Sequence, residues 1–141
     1  MKKLSELLKR NQAKERTIWD LDVNGTDQCY VIDSGKDITK DWFCAKYHED
    51  ARSIGNAFLT IEEARHEMRR REILATVKKY ARPFVYSQEN YYLALARTTD
   101  TLIIQHQEAI DCGVLYFESK EILEELIELF GKAELVKYLF N

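Results

Sequence analysis

The sequence predicts an α+β fold in which an N-terminal helix precedes two analogous units that share one core. Each unit is expected to contain an antiparallel β-hairpin and a further strand that leads into a helix. The main observation is a repeated junction: the sequence Phe-Leu-Thr-Ile-Glu at residues 58–62 is similar to Phe-Glu-Ser-Lys-Glu at residues 117–121. Each copy lies between a β-forming run and a helical pattern, and its Thr60 or Ser119 hydroxyl can accept hydrogen bonds from the first helical turn.

Length and composition place the chain in the globular class. Its 141 residues, 45% hydrophobic and 32% charged, suffice to bury a core and to keep a charged surface. We expect a basic amphipathic helix over residues 1–16 and a single α+β domain over residues 17–141, with halves at residues 28–82 and 90–140. Because the charged start leads to no run of about 20 apolar residues, we expect a cytoplasmic protein without a membrane span.

The first helical pattern lies at the N-terminal end. Leu4, Leu7 and Leu8 have helical spacing and alternate with Lys and Arg residues, which predicts a short amphipathic helix from about Lys2 to Lys14. Its narrow apolar face either packs on the rest of the chain or meets a partner.

A β-hairpin and a short strand are predicted next. The β-forming runs at residues 28–32 and 38–44 flank turn-forming residues 33–35. Residues 46–56 show neither helical nor strand periodicity, so no regular element is predicted there. A short strand is expected at residues 57–59.

The longest helix is predicted to follow Thr60 and to run to about Tyr80. Thr60 and Glu63 have the spacing at which a hydroxyl and a carboxylate satisfy two free backbone N–H groups reciprocally. Pro83 lacks the N–H that would continue the helix and disfavours helical geometry at the preceding residue, so it marks the end.

The second half repeats the order of strands and helix. Residues 91–96 and 102–107 predict a second hairpin, and residues 114–117 predict a third strand. A helix with apolar residues at i, i+4, i+7 and i+8 follows, and Gly131 is a natural residue to end it. A last helical turn or two is expected over residues 132–140.

Charge is strongly segregated although the net charge is only −3. Residues 1–16 carry six Lys or Arg against two Glu, and residues 65–82 carry seven against two. Residues 20–63 instead carry ten acidic residues against four basic ones. The chain is therefore neither a general polycation nor a strongly acidic mimic of DNA.

No catalytic, metal or cofactor site is predicted. The three cysteines lack paired spacing, which indicates reduced thiols in a reducing compartment. Cys44 and His48 have the spacing of two metal ligands, but zinc needs three or four converging groups, and packing is the simpler interpretation. The five glycines form no phosphate-binding loop. An enzyme with an unfamiliar site is kept as an alternative.

The sharpest positive signal is the basic character of the predicted helix over residues 61–82. We predict partner contacts for five of its cations: Arg71, Lys78, Arg82, Arg65 and Lys79. The first three lie near one line of a helix because they are spaced at i, i+7 and i+11. Such a stripe can neutralise phosphates or meet an acidic protein surface. The alternative is a solvated helix face held by an ion pair between Glu67 and Arg71.

Five stretches carry a resemblance to known proteins: residues 30–35, Trp42, residues 55–64, residues 117–121 and residues 137–140. Together they resemble a group of small uncharacterised proteins from phages and mobile elements of Gram-positive bacteria. The likeness covers most of residues 28–140 and consists of helix caps and strands. It implies a phage or mobile-element origin and binding to host machinery in the manner of anti-CRISPR proteins, and it assigns no site residues.

We therefore expect a small non-enzymatic binding protein that occupies a surface of a host protein or nucleoprotein in the bacterial cytoplasm, as an inhibitor of host defence. Segregated charge would orient such an encounter. One alternative is direct nucleic-acid binding by the helix over residues 61–82 together with residues 1–16. A homodimer formed through a hairpin edge or through residues 4–8 also stays open.

Overall fold

The structure is a computed structural model that describes residues 15–23, 25–111 and 113–140. Over these residues the fold contains four α-helices and two small antiparallel sheets, which confirms the predicted α+β class. The chain divides into two compact units, of which the first ends at Arg65 and the second begins at His66. The N-terminal helix predicted over residues 1–16 falls on residues 1–14, outside the described residues, and on Glu15 and Arg16, which are not helical.

The first unit contains a three-stranded antiparallel sheet. Its strands are β1 (Gln28–Ile32), β2 (Ile38–Trp42) and β3 (Ala57–Phe58), in the order β2-β1-β3. The predicted hairpin is confirmed, with Gln28 opposite Trp42 and the strands closing on a turn at residues 33–37. At the end of β2 the alternation of side chains leaves Trp42 half exposed, whereas Phe43, the next residue, is buried.

A helix that the sequence did not predict follows this hairpin. The prediction that residues 46–56 contain no regular element is wrong, because α1 spans Lys46–Ser53. The helix has eight residues and buries only His48 and Ala51, so it carries too few apolar positions to show a helical period.

The core of the first unit lies between α1 and the sheet. Its buried apolar residues are Leu21, Cys29, Val31, Phe43, Ala51 and Ala57. The guanidinium of Arg52 lies 4.7 Å from the Phe43 ring centroid and donates hydrogen bonds to the carbonyl oxygens of Ile18 and Leu21. These contacts hold the short 3₁₀ turn at Ile18–Asp20 against α1.

The two predicted caps are present. Helix α2 spans Ile61–Tyr80, and the Thr60 hydroxyl accepts a hydrogen bond from the Glu63 N–H at 3.2 Å. The Glu63 carboxylate accepts from the Leu59 N–H at 3.2 Å, one residue before the expected donor. Helix α3 spans Lys120–Phe130, and the hydroxyl before it, at Ser119, accepts from the Ile122 N–H. Each long helix therefore begins where its sequence signature predicts.

The second unit pairs β4 (Asn90–Leu95) with β5 (Leu102–Gln107) in an antiparallel hairpin, as predicted. The predicted strand at residues 114–117 is reduced to two isolated bridges, Tyr116 with Arg82 and Phe117 with Tyr91. Helix α4, at Lys132–Leu139, ends the described chain. Gly131 joins α3 to α4 at φ +84°, a conformation that favours glycine.

The second unit also has a core of its own. Its buried members are Ile73, Val77, Leu102, Phe117, Leu123, Leu126 and Leu135. A single core shared by the two halves was predicted, but the buried residues in the described ranges form two clusters, one within each unit. The composition of the chain supplies enough apolar side chains for both clusters, and composition alone does not show how they are divided.

We predict that removing either hydroxyl cap destabilises the protein by about 1 kcal/mol, because a first-turn N–H loses its acceptor. Thr60→Ala and Ser119→Ala test this by urea unfolding followed by far-UV circular dichroism. Thr98→Ala, in an exposed turn, is the control and should change the free energy of unfolding by less than about 0.5 kcal/mol. Equal stability of all three variants would refute the assigned role of the caps.

Candidate functional site

The structure divides the five predicted partner-binding cations into two kinds. The exposed Arg71 and the half-buried Arg82 form polar contacts within the protein, and Arg65, Lys78 and Lys79 are exposed. The side chains of the latter three form no ion pair or hydrogen bond with the described part of the chain. The predicted line of three cations is thus interrupted.

Neighbouring arginines of α2 are held by carboxylates. Arg70 and Arg71 both donate through Nε to Glu67, at 2.8 Å and 3.0 Å, which includes the i, i+4 pair considered as the alternative interpretation. Burial by itself raises the pKa of the Glu67 carboxyl, but hydrogen bonds from these two guanidinium groups bring it below its ordinary value. Arg69 donates from Nε to Glu134 of α4 at 2.9 Å. These arginines are therefore already paired with carboxylates of the second unit.

Arg82 lies two residues beyond the end of α2, so its predicted position on the helical line is wrong. Its backbone N–H donates to the Tyr116 carbonyl at 2.8 Å, and its Nη1 donates to Asn90 Oδ1 at 2.9 Å. Nη2 donates to the Glu89 carbonyl oxygen at 3.0 Å. The buried Nε has no hydrogen-bond partner in the described ranges. Through these hydrogen bonds the half-buried Arg82 side chain supports the loop that it contacts.

Asn90 is the centre of this network and was not singled out from the sequence. Its side chain is fully buried, and its Oδ1 also accepts from the Val85 N–H at 2.9 Å. Its Nδ2 donates to the carbonyl oxygens of Val85 and Gln88. A buried amide needs partners for every polar atom, and here the loop at residues 83–89 supplies them. One Asn at the start of a strand carries no pattern that predicts this role.

The end of α2 and the loop that follows it both carry exposed side chains, which include cations and aromatic rings. We define the α2-end surface as Lys78, Lys79, Tyr80 and Tyr86; the two tyrosines are 48% and 73% exposed. The Phe84 ring packs edge-on against Tyr86, with centroids 5.2 Å apart. Arg82, Pro83 and Phe84 also line an adjacent open cleft of about 430 Å³.

Among the described residues, a histidine–aspartate pair in the first unit is the nearest arrangement to a catalytic one. His48 Nε2 lies 3.1 Å from Asp41 Oδ2. The other ring nitrogen, Nδ1, accepts from the N–H groups of Cys44 and Ala45 at the start of α1. With Nδ1 occupied, the ring caps a helix and holds a carboxylate, and it has no free nitrogen with which to take a proton from a substrate.

Comparisons with known proteins found no similar protein. No protein-family model matches the chain, and no curated protein or solved structure does. Within the part of the chain that the structure describes, no group of three or more His, Cys, Asp or Glu side chains could hold a metal ion. None of the helices in the described ranges combines the length and the apolar character of a membrane span.

We predict that Asn90→Ala lowers the free energy of unfolding by about 3 kcal/mol, because several buried hydrogen bonds lose their partner together. Arg82→Ala should cost about 2 kcal/mol, because Asn90 Oδ1 and the Glu89 carbonyl oxygen lose a charged donor. Lys78→Ala, an exposed change nearby, should leave the urea midpoint unchanged. If Arg82→Ala is as stable as Lys78→Ala, the structural role of Arg82 is wrong.

The Asp41–His48 contact also predicts a dependence of stability on pH. The hydrogen bond from His48, followed by that from the Trp42 N–H, holds the pKa of the Asp41 carboxyl below its ordinary value. The ionised carboxylate therefore stabilises the fold above its unfolded pKa of about 3.9, and this contribution is lost as the pH falls through the lower folded pKa.

Asp41→Asn should therefore be less stable than the native protein at pH 7 and about equally stable at pH 2. Urea unfolding at both pH values measures the difference. Glu125→Gln, an exposed change on α3, serves as the control. A difference that persists at low pH would contradict the assigned pair.

Proposed function

We propose that this is a non-enzymatic binding protein that uses the α2-end surface to occupy part of another protein or nucleoprotein. The observation that supports this is the exposure of two lysines and two tyrosines around a loop that buried hydrogen bonds hold in place. Tyrosine is enriched at protein interfaces because it offers a large ring and a polar hydroxyl at low entropic cost. A loop that is already ordered loses little further entropy on binding.

The chemistry of the surface selects an acidic partner. Carboxylates already neutralise Arg69, Arg70 and Arg71, whereas Lys78 and Lys79 have no such partner among the described residues. Their charge attracts an acidic patch and orients the encounter. The proposal includes the origin and setting that the sequence resemblance implies: a phage or mobile-element protein that acts in the bacterial cytoplasm as an inhibitor of host defence.

The finer part of the predicted architecture belongs to the same proposal. In the first unit β3, which precedes the Thr60 cap, pairs antiparallel with β1 of the hairpin. In the second unit Phe117, which precedes the Ser119 cap, pairs antiparallel with β4 of the other hairpin. We propose on this basis that the strand arrangements before the two caps are analogous, while most of α2, which follows the first cap, belongs to the second unit.

A second function, binding of single-stranded nucleic acid, is favoured by the same four side chains. Exposed rings beside cations can stack bases and neutralise phosphates. This function predicts direct binding of an oligonucleotide with an affinity that falls steeply as salt concentration rises, because bound phosphates release counterions.

The two functions are separated by affinity capture from a bacterial lysate with and without nuclease. We expect Lys78→Glu combined with Lys79→Glu to reduce recovery of the partner protein at least about tenfold, because two attractive charges become repulsive. The matched control is Arg97→Glu with Lys132→Glu, which makes the same change in net charge at exposed positions. Circular dichroism verifies that both variants fold.

Undiminished capture by the Lys78/Lys79 variant would refute the α2-end surface as the contact. Loss of the captured protein on nuclease treatment, together with salt-dependent binding of a labelled oligonucleotide, would instead support nucleic acid as the direct partner. Capture that survives nuclease and fails only for the Lys78/Lys79 variant supports the protein partner.

A further inference from the structure

An open groove lies between the sheet and α1 of the first unit. Its volume is about 650 Å³, and Val31 of β1 and Ala51 of α1 contribute to its lining. Tyr47 and Ile54 line it as well and are 52% and 77% exposed. Single exposed apolar residues are common on proteins, but their convergence on one groove is typical of an interaction site.

The groove has carboxylates on both of its walls. Asp33 follows β1, and its Oδ1 accepts from the N–H groups of Gly35 and Asp37, at 2.9 Å and 3.0 Å, so its position is set by the turn. Asp50 lies on α1, and its exposed side chain has no hydrogen bond or ion pair within the described ranges. The charged residues among those that line the groove are these two aspartates. The lining itself is therefore negatively charged.

These features select the chemistry of the occupant. The carboxylates repel phosphates and attract cations, while the apolar lining requires an apolar group between those cations. The groove is open, and Thr39 in its lining belongs to β2, an edge strand with no further strand beside it among the described elements. An exposed strand edge can pair with an extended backbone, which favours a peptide over a small molecule.

We propose that this groove binds a peptide segment of a partner protein in which lysine or arginine residues flank apolar ones. The apolar side chains pack against Tyr47 and Ile54, and the cations approach Asp33 and Asp50. This interface differs in charge and in residues from the α2-end surface, so the protein presents an acidic contact as well as a cationic one.

The test uses a fluorescently labelled synthetic peptide of alternating lysine and leucine, titrated with the full chain and followed by anisotropy. We expect saturable binding that weakens at least about tenfold for Ile54→Asp and for Asp50→Lys. The first change removes an apolar contact with the peptide, and the second replaces an attractive charge by a repulsive one. The matched controls are Leu129→Asp and Glu125→Lys, which make the same chemical changes at exposed positions of α3. They should bind the peptide as the native chain does.

Two further peptides test the chemistry. Replacing lysine by glutamate, or leucine by serine, should abolish binding in each case. Equal binding of the serine peptide would mean that charge alone attracts the probe, and it would overturn the proposal. Equal affinity of the Ile54→Asp and native chains would overturn it too.

Other occupants of the groove give different results. If the probe binds only after Leu7→Asp and Leu8→Asp, the chain's own N-terminal segment covers the groove and the proposal of a partner peptide is overturned. If sedimentation shows a dimer that Ile54→Asp dissociates, a second copy is the occupant, with the same consequence. The Lys78/Lys79 variant should keep full affinity for the probe, so failure of this inference and failure of the proposed function are distinguishable.

Discussion

Each helix in this chain that directly follows an extended segment must satisfy the N–H groups of its first turn without help from a preceding helical turn. The Thr60 hydroxyl at α2 and the Ser119 hydroxyl at α3 meet this requirement, and at α1 the His48 ring instead accepts from the N–H groups of the two residues that precede the helix. Because the caps place the helix starts at defined residues, they also decide which side chains point toward the sheets. The packing of both cores depends on this local constraint.

Arginine and lysine have different roles in this protein, because their charged groups differ in shape and hydration. A guanidinium offers several donors in a plane, and Arg52, Arg69 and Arg82 each use more than one of them to join separate segments of the same unit. The ammonium groups of Lys78 and Lys79 are compact and strongly hydrated, and they stay at the surface. The cations that hold the fold together are therefore largely different from those that a partner can reach.

The two proposed contacts have opposite charge, and they lie in different units. The first unit offers a groove with an apolar lining and carboxylate walls, and the second offers lysines and tyrosines supported by the Asn90 network. Each unit buries a separate apolar cluster. The two proposed contacts therefore differ in the partner chemistry that each would attract.

The sequence by itself determined the elements whose signals are local: both hairpins, the two hydroxyl caps and the last two helices, because turn residues, caps and periodicity act over a few residues. It did not reveal α1, since a short polar helix that buries only His48 and Ala51 shows no period. It also placed Arg82 on the cationic stripe. Only the tertiary structure brings Arg82 to Asn90 and divides the apolar residues between two clusters, because contacts between distant residues depend on how the chain folds back on itself.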